Sequence, residues 1–165
     1  MSLVARIGLV LVPCLVVSAC GHSIGDNCGT NVDCSPNGDR ICDTAQVDGY
    51  CTVEGCDLTT CPSESACIRF FSAGFLSRTC DPATEAIANP EISPTNACGG
   101  GEICLSSGFC TQRTSERRFC MKKCGTDSDC RGGYACVQTG TGGAEEIPDP
   151  RSTSSGPVRF CAQKP

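Results

Sequence analysis

Apolar residues follow two unlike patterns along this chain. Residues 7–17, IGLVLVPCLVV, form one uncharged run between the basic start MSLVAR and the small pair Ser18-Ala19. A basic start, a short apolar core and a small-residue exit make up an export signal. With eleven residues and Pro13 in the middle, the run falls short of the roughly 20 needed to cross a bilayer. Beyond residue 20, apolar residues come only in short pieces between Gly, Asn, Asp, Ser and Pro, which favour turns over helices. IRFFSAGFLSRTC (68–80) sets two apolar runs around Ser72-Ala73-Gly74 and predicts a β-hairpin. YACVQ (134–138) and VRFC (158–161) predict a second strand pair, with 139–157 between them as a flexible polar loop. DPATEAIANPEISPTNA (81–97) reads as a linker. Little or no helix is expected after the signal.

The end of the signal, VVSAC, resembles the lipobox of bacterial lipoproteins. Val17 fills the branched-aliphatic position, Ser18 and Ala19 the small positions, and Cys20 the invariant one. The resemblance implies cleavage after residue 19, a diacylglyceryl group on the Cys20 sulfur and acylation, palmitate included, of the new amino terminus. Two or more acyl chains hold a protein stably, at about 0.8 kcal/mol per buried CH₂. Gly21 rather than Asp after the cysteine implies, within Gram-negative lipoproteins, sorting to the outer membrane. Residues 20–27 then serve as a lipidated tether.

Of the eighteen cysteines, Cys14 leaves with the signal and Cys20 carries lipid. The other sixteen make up about 11 % of the remaining chain, above the roughly 8–10 % that marks a disulfide scaffold. An exported chain meets an oxidising compartment in which thiols pair, and the remainder is even. There is no Trp, and six Phe and two Tyr serve the whole chain, so cross-links must substitute for a core. Loss of Arg6 takes the net charge from −5 to −6, which argues against a nucleic-acid partner.

The sixteen fall into four consecutive groups: Cys28, Cys34, Cys42, Cys51; Cys56, Cys61, Cys67, Cys80; Cys98, Cys104, Cys110, Cys120; and Cys124, Cys130, Cys136, Cys161. Two short gaps and then a longer one recur in each. CGTNVDC (28–34) is echoed by CGTDSDC (124–130). A second echo, GYCT (49–52) and GFCT (108–111), falls at a different place in the repeat. The expected domains are therefore modules one and two over 28–80, the linker, and modules three and four over 98–161. KCGTDSDCRGGYAC (123–136) resembles the cysteine-rich repeats of lipoproteins from myxobacteria and related Gram-negative bacteria, and more distantly Dickkopf-type and whey-acidic-type modules. The bacterial resemblance implies an envelope lipoprotein and supplies no defined activity.

Any four cysteines allow three pairings. Pairing neighbours closes tiny loops, and nesting the bonds stacks both on one axis. The crossed arrangement ties early turns to a later strand, as epidermal-growth-factor-like modules do. It gives Cys28–Cys42 with Cys34–Cys51, Cys56–Cys67 with Cys61–Cys80, Cys98–Cys110 with Cys104–Cys120, and Cys124–Cys136 with Cys130–Cys161.

Candidate chemistry is sparse. The one histidine, His22, sits in the tether with nothing to orient it, and Glu145-Glu146 reads as solvated charge in the loop. The cysteines lack the C-x₂-C spacing of zinc and thioredoxin-like sites. DCSPNG (33–38) matches the first half of a calcium loop, with Asp39 and Asp43 nearby, but Thr44 stands where a bidentate Glu belongs. RTSERR (113–118) is a basic segment of the kind that baits proteases or simply forms a solvated turn. The expectation is a small disulfide-rich, mostly irregular protein with short hairpins, without catalytic residues, metal or cofactor. It is held at the outer membrane through Cys20 and binds or displays an unidentified envelope partner; a protease inhibitor or a calcium-binding module are the alternatives.

Overall fold

The computed structural model describes residues 21–72, 78–83, 98–147 and 156–165. It is a small disulfide-rich protein of short antiparallel strands and loops; among the described residues the α-helix is the single turn α1 (Asn31–Cys34). The local signals for that turn are in CGTNVDC. Thr30 is the N-cap, and the Asp33 carboxylate accepts the Gly29 and Thr30 N–H groups at 2.9 and 2.8 Å. CGTDSDC repeats the device as a 3₁₀ turn (Asp127–Asp129), where Asp129 accepts from Gly125 and Thr126 at 2.8 Å. In both copies the residue after Thr bonds forward: Asn31 Oδ1 accepts from Cys42 N, and Asp127 Oδ1 from Cys136 N, at 2.9 and 2.8 Å.

Strands β1 (Ile41–Cys42) and β2 (Cys51–Thr52) form the first pair. β3 (Ser65–Phe70) is the centre of a three-stranded sheet between β7 (Arg117–Lys122) and β9 (Ala144–Glu146). β4 (Arg78–Thr79), β6 (Phe109–Gln112) and β5 (Glu102–Cys104) form another, with β6 in the middle. β8 (Tyr134–Gln138) pairs with β10 (Arg159–Gln163), as the patterning predicts. The hairpin expected over 68–80 does not form between its described parts. β3 pairs with β7 and β9, while β4 pairs with β6. The cause is apolar content: Ala66, Ile68 and Phe70 face Met121, Phe119 and Arg117 across six register pairs, whereas Arg78 and Thr79 are polar and exposed. A strand pairs where a buried face can be matched.

That choice reorganises the disulfides. Six bonds join the expected partners: Cys28–Cys42, Cys34–Cys51, Cys56–Cys67, Cys98–Cys110, Cys124–Cys136 and Cys130–Cys161. Cys61–Cys80 and Cys104–Cys120 are not formed; Cys61 bonds Cys120 and Cys80 bonds Cys104. A disulfide needs its Cα atoms within about 4.4–6.8 Å, and the β3–β7 register puts Cys120 directly opposite Cys67, beside the cysteines of the second group. The second unit is thus Cys56, Cys61, Cys67 and Cys120, and the third, Cys80, Cys98, Cys104 and Cys110, is inserted within it. Both new bonds cross 81–97, so the expected split into two module pairs does not hold; residues 84–97 themselves lie outside the described residues.

With this grouping all four units are alike. Each bonds its first cysteine to its third and its second to its fourth. In each, the third and fourth are register partners in an antiparallel strand pair: Cys42 and Cys51, Cys67 and Cys120, Cys104 and Cys110, Cys136 and Cys161. Sulfur is much of the core. Cys34, Cys42 and Cys51 form one buried cluster, and Cys98, Cys104 and Cys110 another. The larger cluster gathers Ile24, Tyr50, Ile68, Met121, Tyr134 and Phe160 from the first, second and fourth units.

Candidate functional site

Cys20 lies outside the described residues, but the segment that would carry it does not hang free. Ile24 is fully buried in the main core. Gly25 N donates to Cys51 O and Cys51 N to Asp26 O, both at 2.9 Å, so the segment runs beside β2. Ser23 N donates to Asp26 Oδ2 at 2.8 Å, the His22 ring Nδ1 lies 3.1 Å from Asn27 O, and Arg40 donates to His22 O. The expected flexible tether over 20–27 is therefore corrected. A single isoleucine, fully buried in the main core cluster, docks the segment by the same apolar burial that holds the core.

The loop expected over 139–157 is also corrected in its first part; 148–155 lie outside the described residues. Thr139 to Gly143 turn the chain back, and β9 completes the sheet on β3. Gly143, at φ +79, permits this because a Cβ there would run into the Phe71 carbonyl. Glu145 is consequently buried rather than solvated. Its carboxylate accepts Ser106 N at 3.1 Å and Ser106 Oγ at 2.7 Å, which ties the inserted unit to the central sheet. Glu146 is partly buried, and that burial pushes its pKa up. Arg69, opposite Glu145, is lowered by burial.

Ser106, Glu145 and Glu146 border an open cleft of about 800 Å³ among the second, third and fourth units. Glu145, Glu146, Lys123, Ser106 and Thr139 supply polar groups there, while Leu58, Pro62 and Ile147 supply apolar walls. Lys123 Nζ donates to Ser63 O at 3.1 Å. The cleft offers mixed polar and apolar contact; Ser106 and Glu145 face each other without a histidine to activate the hydroxyl.

The other sequence candidates are not assembled into sites. The Asp33 carboxylate is engaged as a cap, which holds its pKa below the usual range, and Ser35 Oγ donates to Asp39. The DCSPNG segment runs from the helical turn into a tight turn closed by Gly38 N on Ser35 O. In RTSERR, Arg113–Ser115 forms a 3₁₀ turn and Arg117 and Arg118 lie in β7. β7 is flanked by β3 and by residues 53–55, through Gly55 N to Arg118 O and Cys120 N to Val53 O. Arg118 pairs with Glu116, and Arg117 lies 3.8 Å from Glu54. Only the end of the segment, Arg117 and Arg118, is paired with β3, and Arg118 is bonded to Gly55 on its other edge as well. Among the described residues, the groups of ligand-type atoms close enough to share an ion consist of disulfide sulfurs, joined in one case by Glu102. Oxidised sulfur offers no thiolate.

One constellation was not singled out from sequence. Arg131, from CRGGYAC, lies 4.3 Å over the Tyr134 ring and 5.7 Å from that of Tyr50. It donates to Val47 O at 2.8 Å, to Tyr134 OH at 2.6 Å and to Gly49 O. The Tyr50 hydroxyl accepts Lys122 N at 3.0 Å, and burial pushes its pKa up to about 12. The cluster clamps the first unit to the fourth.

Fold and sites together define a small disulfide-rich β-protein built from four crossed four-cysteine units. No protein-family model, curated protein or solved structure matches the chain significantly.

Proposed function

We propose that this chain is a non-enzymatic lipoprotein of the cell envelope, anchored by acyl chains on Cys20 and sorted to the outer membrane. Its four braced units would bind or display an envelope partner. One observation carries the reading: the sixteen cysteines from Cys28 to Cys161 are paired with one another in eight bonds. None of them is left for Cys20, which follows an export signal in the position of a lipidated cysteine. Eight cross-links also suit an oxidising, extracytoplasmic compartment. The cleft beside Glu146 and Lys123 is a concave surface that a partner could engage. The test is Cys20→Ser in the producing cell, with detergent-phase partitioning and the mass of the mature amino-terminal peptide as readouts. Acyl mass on the native peptide, and loss of the protein from the detergent phase in the variant, are expected. A variant that still partitions with membranes, or a native peptide without acyl mass, refutes the proposal.

A further inference from the structure

We propose that the first unit is the membrane-apposed face of the protein, seated against the lipid headgroups, and that the inserted third unit stands farther from the bilayer. The inference rests on the lipidation of Cys20 and concerns the geometry that such an anchor imposes. Only Gly21, His22 and Ser23 separate Cys20 from the buried Ile24. Three fully extended residues reach about 10 Å, and these three are not fully extended. Ser23 is bonded to Asp26, His22 to Asn27 and Arg40, and a Cβ on Gly21 would lie 3.6 Å from Cys34 O. Gly21, the next residue after Cys20 in the sequence, therefore already lies against the end of α1, and one residue adds about 3.8 Å between Cα atoms to the leash.

The lipid end of that leash is equally confined. A diacylglyceryl thioether places the sulfur at the boundary of the hydrocarbon, beneath a headgroup layer roughly 5–8 Å thick on each side. The leash is no longer than that layer, so the body cannot clear it. What it presents there is α1 with the exposed Val32, at 69 % the most exposed large apolar residue described, together with His22 and Arg40. Asp33 and Asp39 lie on the same unit, so the surface is of mixed charge. Proximity imposed by the leash, not charge attraction, holds it at the bilayer. The inserted third unit shares no strand pairing with the first.

The chain has no tryptophan, so single reporters can be placed at will. Val32→Trp marks the first unit and Phe109→Trp the third; both sites are exposed. The chain from residue 20 onward is alkylated at Cys20 with a maleimide bearing two hexadecyl chains and bound to phosphatidylcholine vesicles. The vesicles carry a minor fraction of nitroxide-headgroup lipid. Most of the Val32→Trp emission should be lost and the Phe109→Trp emission retained. Inserting a twenty-residue Gly-Ser segment between Cys20 and Gly21 should restore the first signal without reducing co-sedimentation with vesicles. Equal emission from the two reporters, or quenching of Val32→Trp that survives the insertion, overturns the proposal. Chemical lipidation makes this outcome independent of what the cell does to Cys20, so failure here and failure of the lipoprotein reading are distinguishable.

Discussion

Cutting the chain between Cys80 and Cys98 separates the nested arrangement from a tandem one. A protease recognition sequence inserted after Ser93 leaves Cys61 and Cys80 on one side of the cut and Cys104 and Cys120 on the other. Two bonds then span the cut, and the cleaved protein should run as one species on a non-reducing denaturing gel and as two once reduced. Changing both Cys61 and Cys120 to Ala leaves Cys80–Cys104 as the remaining bridge, and changing all four residues should release two fragments. The energetic cost of the first step is set by the loop it opens. Cys61 and Cys120 are 59 residues apart, but with Cys80–Cys104 closed the shortest path between them is about 36 residues. In the chain-entropy account, such a loop contributes about 4 kcal/mol at 25 °C. For a chain of this size that is a fall in Tm of roughly 10–15 °C, measurable by thermal or guanidinium unfolding of Cys61→Ala/Cys120→Ala. Two fragments on the non-reducing gel, from cleaved protein that keeps all its cysteines, would refute the nested pairing.

Three further outcomes are expected. Ile24→Ala should cost about 2–5 kcal/mol in guanidinium unfolding, as a fully buried side chain that pins the amino-terminal segment; a change near zero would mean the segment is not docked. Arg131→Lys should keep the charge but lose the planar stack on Tyr134 and the forked donation to Val47 and Gly49. It should lower stability by about 2 kcal/mol, and a Tm equal to the wild type would refute the clamp. The Asp57 carboxylate, held by the Thr60 hydroxyl and then by the Thr59 N–H and hydroxyl, is lowered from 3.8 to about 2. Its contribution is present in full above the ordinary carboxylate pKa and is lost as pH falls through about 2. A carboxyl-carbon NMR titration should find that midpoint, and Thr60→Val should raise it.

Much of this fold was legible because disulfide crossing within a unit is a local matter. CGTNVDC and CGTDSDC each contain their own cap, their own turn and the side chain that reaches the third cysteine. β8 and β10 were legible for a similar reason, since both runs are apolar enough to need a partner and no competing run lies nearby in sequence. The buried state of Glu145 was not legible, because it depends on β3 having a free edge and on Ser106 arriving from the inserted unit. Ile24 is a lone apolar residue among polar ones, and a periodicity argument has nothing to say about it. The proposed lipid site stands apart: the pattern that suggests it lies wholly in the sequence before residue 21.

The phase of the repeat turned on a non-local choice, yet its trace was present in the second echo. GYCT and GFCT fall out of step only when the cysteines are divided into consecutive fours. Once the third unit is taken as Cys80, Cys98, Cys104 and Cys110, Cys51 and Cys110 are both fourth cysteines. Each faces its unit's third cysteine across a strand pair and comes two residues after a left-handed glycine, Gly49 at φ +64 and Gly108 at φ +79. The main chain at the first cysteine agrees: Cys28 N bonds Asp48 O, and Cys80 N bonds Gly108 O, in the turns just before those fourth cysteines. A division into consecutive fours assumes that a unit's fourth cysteine is the next one along the chain. Antiparallel pairing imposes no such condition on the length of its connection, and the connection between β3 and β7 holds an entire unit.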